Sequence, residues 1–175
     1  AEAGLGPVTA LVNSAGITGR ISTLAEAEID TLRRTIEINV NGTLYCAREA
    51  VRRMSTARGG RGGAIVNVSS AASTLGSANE FVWYAASKGA VDSLTIGLAM
   101  EAGGEGIRVN AVLPGLIETE IHATAGDPGR LERFTAGVPL GRSGKAEEAA
   151  APILWLLSEE ASYVSGALLR IGGGR

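Results

Sequence analysis

At 175 residues and 45% hydrophobic, the chain is long enough for one core and too short for two comfortable domains. Its 16 basic and 18 acidic residues leave a net charge of -2, which argues against a nucleic-acid or anionic-membrane partner, and no apolar run approaches the ~20 residues a spanning helix needs. The single cysteine, Cys46, cannot form an internal disulfide and suits a reducing, cytoplasmic setting. In chain order, residues 7–13 read as a short buried strand with a tight exit at Ser14-Ala15-Gly16. Residues 24–54 carry apolar side chains at Ile29, Leu32, Ile36, Val40, Leu44, Ala47, Val51 and Met54, the three-or-four spacing of a helix face. Asn39 and Asn41-Gly42 interrupt good helix formers near its middle, where a kink or break is expected.

A Gly/Arg loop at 58–63 leads to a second buried strand at 64–68, ending in Ser69-Ser70. A helix is expected from about 84 to 101, a third strand over 107–113 ended by Pro114-Gly115, and an irregular segment over 116–142. Residues 146–157 read as helix despite Pro152, which removes a backbone hydrogen bond at a typical cost of ~3 kcal/mol. Residues 162–171 read as a last strand. Alternating strand and helix of this kind predicts an α/β fold with a parallel sheet and right-handed crossovers. No internal repeat, linker or domain break is visible.

Tyr84 and Lys88 stand four apart in Tyr84-Ala85-Ala86-Ser87-Lys88 and would share one helix face. A phenol of pKa about 10 is a poor proton-transfer group at neutral pH, and a neighbouring ammonium favours its ionised form. Alone, such a pair is more often a packed ring beside a solvated lysine. Three strand ends nevertheless carry small or polar residues at the edge where open parallel sheets bind ligands: Asn13-Ser14-Ala15-Gly16, Ser69-Ser70 and Pro114-Gly115. Those segments, with Asn39-Val40-Asn41-Gly42, Tyr84/Lys88 and Pro114-Gly115-Leu116-Ile117-Glu118-Thr119, resemble the short-chain dehydrogenase/reductase family in its Tyr-x-x-x-Lys branch. The tract from Gly76 past His122 is similar to bacterial members described as glucose-dehydrogenase-like. Ser14 stands where the family has a second Asn, and the Ser70 to Tyr84 gap is slightly longer than in many members.

The resemblance implies a Rossmann-like, doubly wound parallel sheet, here only its C-terminal portion of about four strands with flanking helices. It implies an NAD(P)-dependent oxidoreductase passing hydride between nicotinamide and a small carbonyl or alcohol substrate. Tyr84 would exchange the proton, Lys88 would bind the ribose and favour the phenolate, Ser70 would position the substrate oxygen, and Asn39 would hold a relay water. Asn13, Ala15, Gly16, Tyr84, Lys88, Pro114, Gly115, Ile117 and Thr119 would border the cofactor. NADP is leaned to over NAD, although no selector residue is in view; no metal site is expected. Ser69 reads as the structural serine, Thr119 equally as a cap or an amide ligand, and His122 as a loop residue near the cleft rather than a catalyst. Phe81, Trp83 and Leu94 read as core or subunit contact.

A homodimer or homotetramer follows from the resemblance, through the long helices and the C-terminal strand. The glycine-rich nucleotide turn of the family has no counterpart here, so the expectation is one partial domain over 1–175 lacking roughly two N-terminal βαβ units. That would expose an apolar sheet edge and favour weak cofactor binding and poor solubility. The competing expectation is a catalytically incompetent remnant that keeps only association surfaces. A third, an acyl-carrier-protein reductase, would want a basic patch, for which Arg48, Arg52, Arg53, Arg58 and Arg61 are the candidates.

Overall fold

The computed structural model describes residues 4 and 6–175, with the His122 side chain outside that set. Four parallel strands stand in the order β1 (Ala10–Asn13), β2 (Gly63–Val68), β3 (Ile107–Pro114) and β4 (Leu168–Ile171). Ala10 lies opposite Ala64, Gly63 opposite Ile107, and Ala111 opposite Leu168. The first and last strands are shorter than expected. Over 162–166 the chain turns instead, with Gly166 at φ +80 and its N–H donating to the Val109 carbonyl.

β2 and β3 are mostly apolar because both faces are covered, and their polar side chains, Asn67, Arg108 and Asn110, are hydrogen-bonded. On one face Ile65, Ile107 and Val109 pack against α2 (Gly42–Met54) and α4 (Val82–Ala102), through Ala50, Met54, Leu98 and Ala102. On the other, Val66 and Val112 pack against α7 (Ala146–Leu157), through Ile153 and the fully buried Leu156. This packing sustains α7 despite Pro152. Helices therefore cover both faces of the sheet, as expected of a doubly wound fold.

One expectation fails. The helix between β2 and β3 and the helix between β3 and β4 lie on opposite faces, although the three strands follow one another across the sheet. The two crossovers therefore have opposite hands, and a uniformly right-handed set is excluded. The connection over 115–145 is long enough to carry the chain over the strand ends to the free face. It also contains two short helices, α5 (Ile121–Thr124) and α6 (Arg130–Thr135), where no regular structure was expected. A further short helix, α3 (Ala72–Leu75), follows β2.

The interruption near Asn39 is a π-turn, Glu37–Asn41, between α1 (Ile29–Ile36) and α2. Its wide ring is closed by the Gly42 N–H on the Glu37 carbonyl. Thr35, Asn39, Thr43 and Ala47, each four residues on from the last, are all buried.

Candidate active site

The carboxyl ends of β1, β2 and β3 open into a cleft of about 350 Å³, lined by Gly16, Tyr84, Lys88, Pro114, Gly115, Ile117 and Thr119 together with one face of α7. Tyr84 sits in the first turn of α4, with Lys88 one turn later. Both are nearly inaccessible, at 8% and 4% exposure. The Ser70 side chain stands beside the Tyr84 phenol and pulls its pKa down, and Ser70 Oγ accepts the Ala72 N–H at 3.1 Å. The neighbouring Ser69 hydroxyl is buried and donates to the Lys88 carbonyl at 3.1 Å.

Lys88 Nζ donates to the Val68 carbonyl at 2.7 Å and stands 5.7 Å from the centre of the Tyr84 ring. Burial outweighs the nearby Asp92 carboxylate and lowers the Lys88 pKa to about 8. Burial also raises the Tyr84 pKa, against the opposing pull of the Ser70 hydrogen bond and the Arg130 charge. The expectation that Lys88 draws the phenol toward ionisation therefore needs correction. In this state the counteracting groups are Ser70 and Arg130, because the ammonium is turned to Val68 and sits over the ring face.

Asn39 is wholly buried, and both hydrogens of its amide are used. Nδ2 donates to the Ile17 carbonyl and the Ser87 hydroxyl, both at 2.9 Å, while Oδ1 accepts the Ile17 N–H at 2.8 Å. Both amide hydrogens thus go to the strand-exit loop and to Ser87. Gly16 in that loop leaves only tight room for a side chain. A Cβ there would meet Asn39 Oδ1 and Lys88 Nζ, each at 3.3 Å. Asn13 and Ala15 stay outside the cleft lining; Asn13 Nδ2 donates to Asn67 Oδ1 at 2.9 Å, joining strand ends. Phe81 and Trp83 are core, the Trp83 indole N–H donating to the Thr18 carbonyl at 2.7 Å. Leu94 is partly buried on α4. His122 falls in α5, and its side chain lies outside the described residues.

Two contributors were not singled out from sequence. Ala146, Ala149, Ala150 and Ile153 of α7 form one wall of the cleft, and their i, i+3, i+4, i+7 spacing was the available signal. Arg130 forms a two-pronged ion pair with Glu80, at 3.0 and 2.8 Å, and covers Phe81 with its guanidinium 5.3 Å from the ring centre. Phe81 in turn meets Tyr84 edge-on at 5.5 Å. Nothing local in the sequence joins residues fifty positions apart. Among the described residues no group of three or more His, Cys, Asp or Glu could hold a metal, and no helix is long and apolar enough to cross a membrane.

Residues 1–175 match a family model described as enoyl-(acyl carrier protein) reductase. The chain is 52% identical over 169 residues to the uncharacterized oxidoreductase YgfF of Escherichia coli strain K12, covering 97% of this chain and 68% of that protein. A 3-ketoacyl-(acyl-carrier-protein) reductase from Brucella melitensis, solved with NADH, superposes with a TM-score of 0.91 at 31% identity, over 99% of this chain and 70% of that one. A gluconate 5-dehydrogenase from Burkholderia cenocepacia J2315, solved with NADP and tartrate, gives 0.89 at 34%, over 99% and 66%. The chain spans about two thirds of the length of these proteins. With its sheet, its cleft and these likenesses taken together, the chain belongs to the short-chain dehydrogenase/reductase family of oxidoreductases.

Proposed function

We propose that residues 1–175 carry the reaction centre of an NAD(P)-dependent oxidoreductase that interconverts a carbonyl and an alcohol, with Tyr84 as general acid and base. The observation that carries this reading is the meeting of the Tyr84 phenol with Ser70, which pulls its pKa down, and with Lys88, 5.7 Å from the ring centre, beside a cleft that Tyr84 and Lys88 line. The cleft fits a nicotinamide cofactor on its own evidence. Its volume suits a ligand site. Lys88 presents three N–H donors and spends one on Val68, leaving two toward a cleft where Thr119 and Ser14 also offer hydroxyls. Gly16, Pro114, Gly115, Ile117 and Thr119 would border the nicotinamide, and Lys88 would hold ribose hydroxyls. The similar structures solved with NADH and with NADP support either cofactor.

When bound, the nicotinamide supplies or accepts the hydride. The chain's own residues manage the proton and the geometry. Ser70 holds the substrate oxygen by hydrogen bond, and Tyr84 gives its phenolic proton to that oxygen during reduction or takes it back during oxidation. Lys88, if turned to ribose hydroxyls, would bring its positive charge nearer the phenol and oppose the burial that raises the Tyr84 pKa. Asn39 keeps the Ile17 loop in register with Lys88. The test is Tyr84→Phe, with nicotinamide absorbance followed over a panel of ketones and alcohols. Turnover is expected to fall by about 10²- to 10⁴-fold at unchanged fold. A variant that keeps its rate would remove Tyr84 from the chemistry.

Residues 1–175 read as one domain because a single continuous sheet is covered on both faces. Association into a homodimer or homotetramer is supported by large apolar side chains left in water on the two long helices: Leu44 and Tyr45 on α2, Ile96 and Met100 on α4. The same exposure, with Val12 on the edge strand at 40%, favours the association-only remnant; the assembled Ser70, Tyr84 and Lys88 favour the enzyme. Cys46 is a free, exposed thiol, which supports a reducing, cytoplasmic setting. The acyl-carrier patch loses support, since Arg48, Arg52 and Arg53 all pair with Glu49 on an exposed helix face.

A further inference from the structure

The connection over 115–145 meets the start of α4 at one ion pair. Arg130, the first residue of α6, grips Glu80 through two nitrogens at 3.0 and 2.8 Å, and both side chains are largely out of water, at 15% and 19% exposure. The same guanidinium lies 5.3 Å from the centre of the Phe81 ring and 5.0 Å from that of Phe134. Phe81 is the residue on which α4 begins. Its carbonyl accepts the Tyr84 and Ala85 N–H groups, and its ring meets the Tyr84 ring edge-on at 5.5 Å. The turn before it is held as well: the Ser22 N–H donates to the Glu80 carbonyl at 2.9 Å, and the Ile21 N–H to the Ala125 carbonyl at 3.1 Å. Three segments distant in sequence thus close around Glu80.

Stability alone does not call for charges here, because a buried ion pair gains little over two apolar side chains of similar volume. What such a pair adds is a fixed charge, which acts strongly across a poorly screened interior. Burial raises the Tyr84 pKa, and the Ser70 side chain and the Arg130 charge both pull it back. The other charged groups near that phenol are Glu80 in the turn before α4 and Lys88 one turn on, 5.7 Å from the ring centre, with Asp92 acting on Lys88.

We propose that Arg130 is a positioning residue for Tyr84: clasped by Glu80 and laid over Phe81, it seats the connection over 115–145 against the first turn of α4 and holds a permanent cation within electrostatic reach of the phenol. The catalytic consequence rests on the oxidoreductase reading above; the electrostatic one does not. Lys88 cannot fill this part, since burial lowers its pKa to about 8 and its ammonium is turned to Val68. A guanidinium stays charged at every pH at which proteins fold. Arg130 is then the constant part of the field on the phenol, and Lys88 the part that varies.

The phenol is read by ultraviolet tyrosinate absorbance in a Tyr45→Phe, Tyr163→Phe background, which leaves Tyr84 alone of the three tyrosines and changes only exposed side chains. Rapid pH jumps read it before the chain unfolds, and circular dichroism checks the fold. Glu80→Gln and the double variant Glu80→Gln/Arg130→Gln both lose the ion pair, so loosened packing is common to them and they differ in the cation alone. The Tyr84 ionisation constant is expected to be about threefold or more weaker in the double variant than in Glu80→Gln, and Arg130→Lys to stay within about twofold of the wild type. A Glu80→Met/Arg130→Met pair refills the space without charge and carries the same expectation if the amide pair misfolds. Equal constants in Glu80→Gln and the uncharged pairs, or an Arg130→Lys shifted as far as those pairs, would overturn the proposal. Alcohol oxidation and ketone reduction with either nicotinamide are then followed separately. If the constants separate and nothing turns over, the oxidoreductase reading fails while the placement of Arg130 stands; if the protein turns over and the constants coincide, the reverse holds.

Discussion

Lys88→Met should make the protein more stable while abolishing its chemistry. Lys88 is 4% exposed, and its pKa falls from 10.5 to about 8, so below pH 8 the folded state holds a charge that burial disfavours. At 1.36 kcal/mol per unit, that shift costs about 3 kcal/mol at pH 7. Methionine keeps the length of the stem and loses only the hydrogen bond to Val68, worth about 1 kcal/mol. The net expectation is a gain of about 2 kcal/mol at neutral pH. Between the two pKa values the unfolded chain binds more protons than the folded one, so wild-type stability rises with pH across that window. The advantage of the variant should therefore shrink to nearly nothing by about pH 9.5. Tyr84, whose pKa burial raises, is present in both proteins and drops out of the comparison. Urea unfolding of both proteins at pH 7 and about pH 9.5 reads the difference directly. A variant less stable at pH 7, or a difference that does not change with pH, would refute the burial argument.

Two further outcomes are expected. Ser69→Ala should cost about 1–2 kcal/mol in urea unfolding with turnover nearly unchanged, since its buried hydroxyl serves only the Lys88 carbonyl, whereas Ser70→Ala should spare stability and lower turnover by about 10²-fold; the reverse assignment would sink the division of labour. Tyr45→Glu combined with Met100→Glu, at side chains 60% and 82% exposed, should lower the sedimenting mass of the protein, and an unchanged mass would clear these helices of any part in association.

The central strands were legible because burial on both faces leaves short, mostly apolar runs bounded by glycine and proline, and Gly63–Val68 and Ile107–Pro114 stand within a residue of the expected bounds. Ala146–Leu157 was legible despite its proline because the period of its apolar face outlasts one missing hydrogen bond. The edge strands were over-read: β1 pairs with β2 only from Ala10, and β4 pairs with β3 only from Leu168, after the turn over 162–166. Within the site, Tyr84, Lys88, Ser70, Gly16 and Pro114 are local motifs at strand and helix ends, which sequence displays. Arg130 was invisible because its meaning lies in a pairing with Glu80 across fifty residues. The crossover of opposite hand was hidden for a related reason: which face a helix covers is decided by the face already filled.

The π-turn at Glu37–Asn41 has a mutational consequence. In a regular α-helix every fourth residue advances about 40° around the axis, so Thr35, Asn39, Thr43 and Ala47 would spiral out of the interior. The surplus residue in the wide turn cancels that drift and keeps all four inward. Deleting Val40 or Asn41 would heal the helix at little local cost and swing everything upstream by about 100°. Asn39 would then lose the Ile17 backbone and the loop beside Lys88 would come adrift, an inexpensive route by which a lineage could shed its activity and keep its shape.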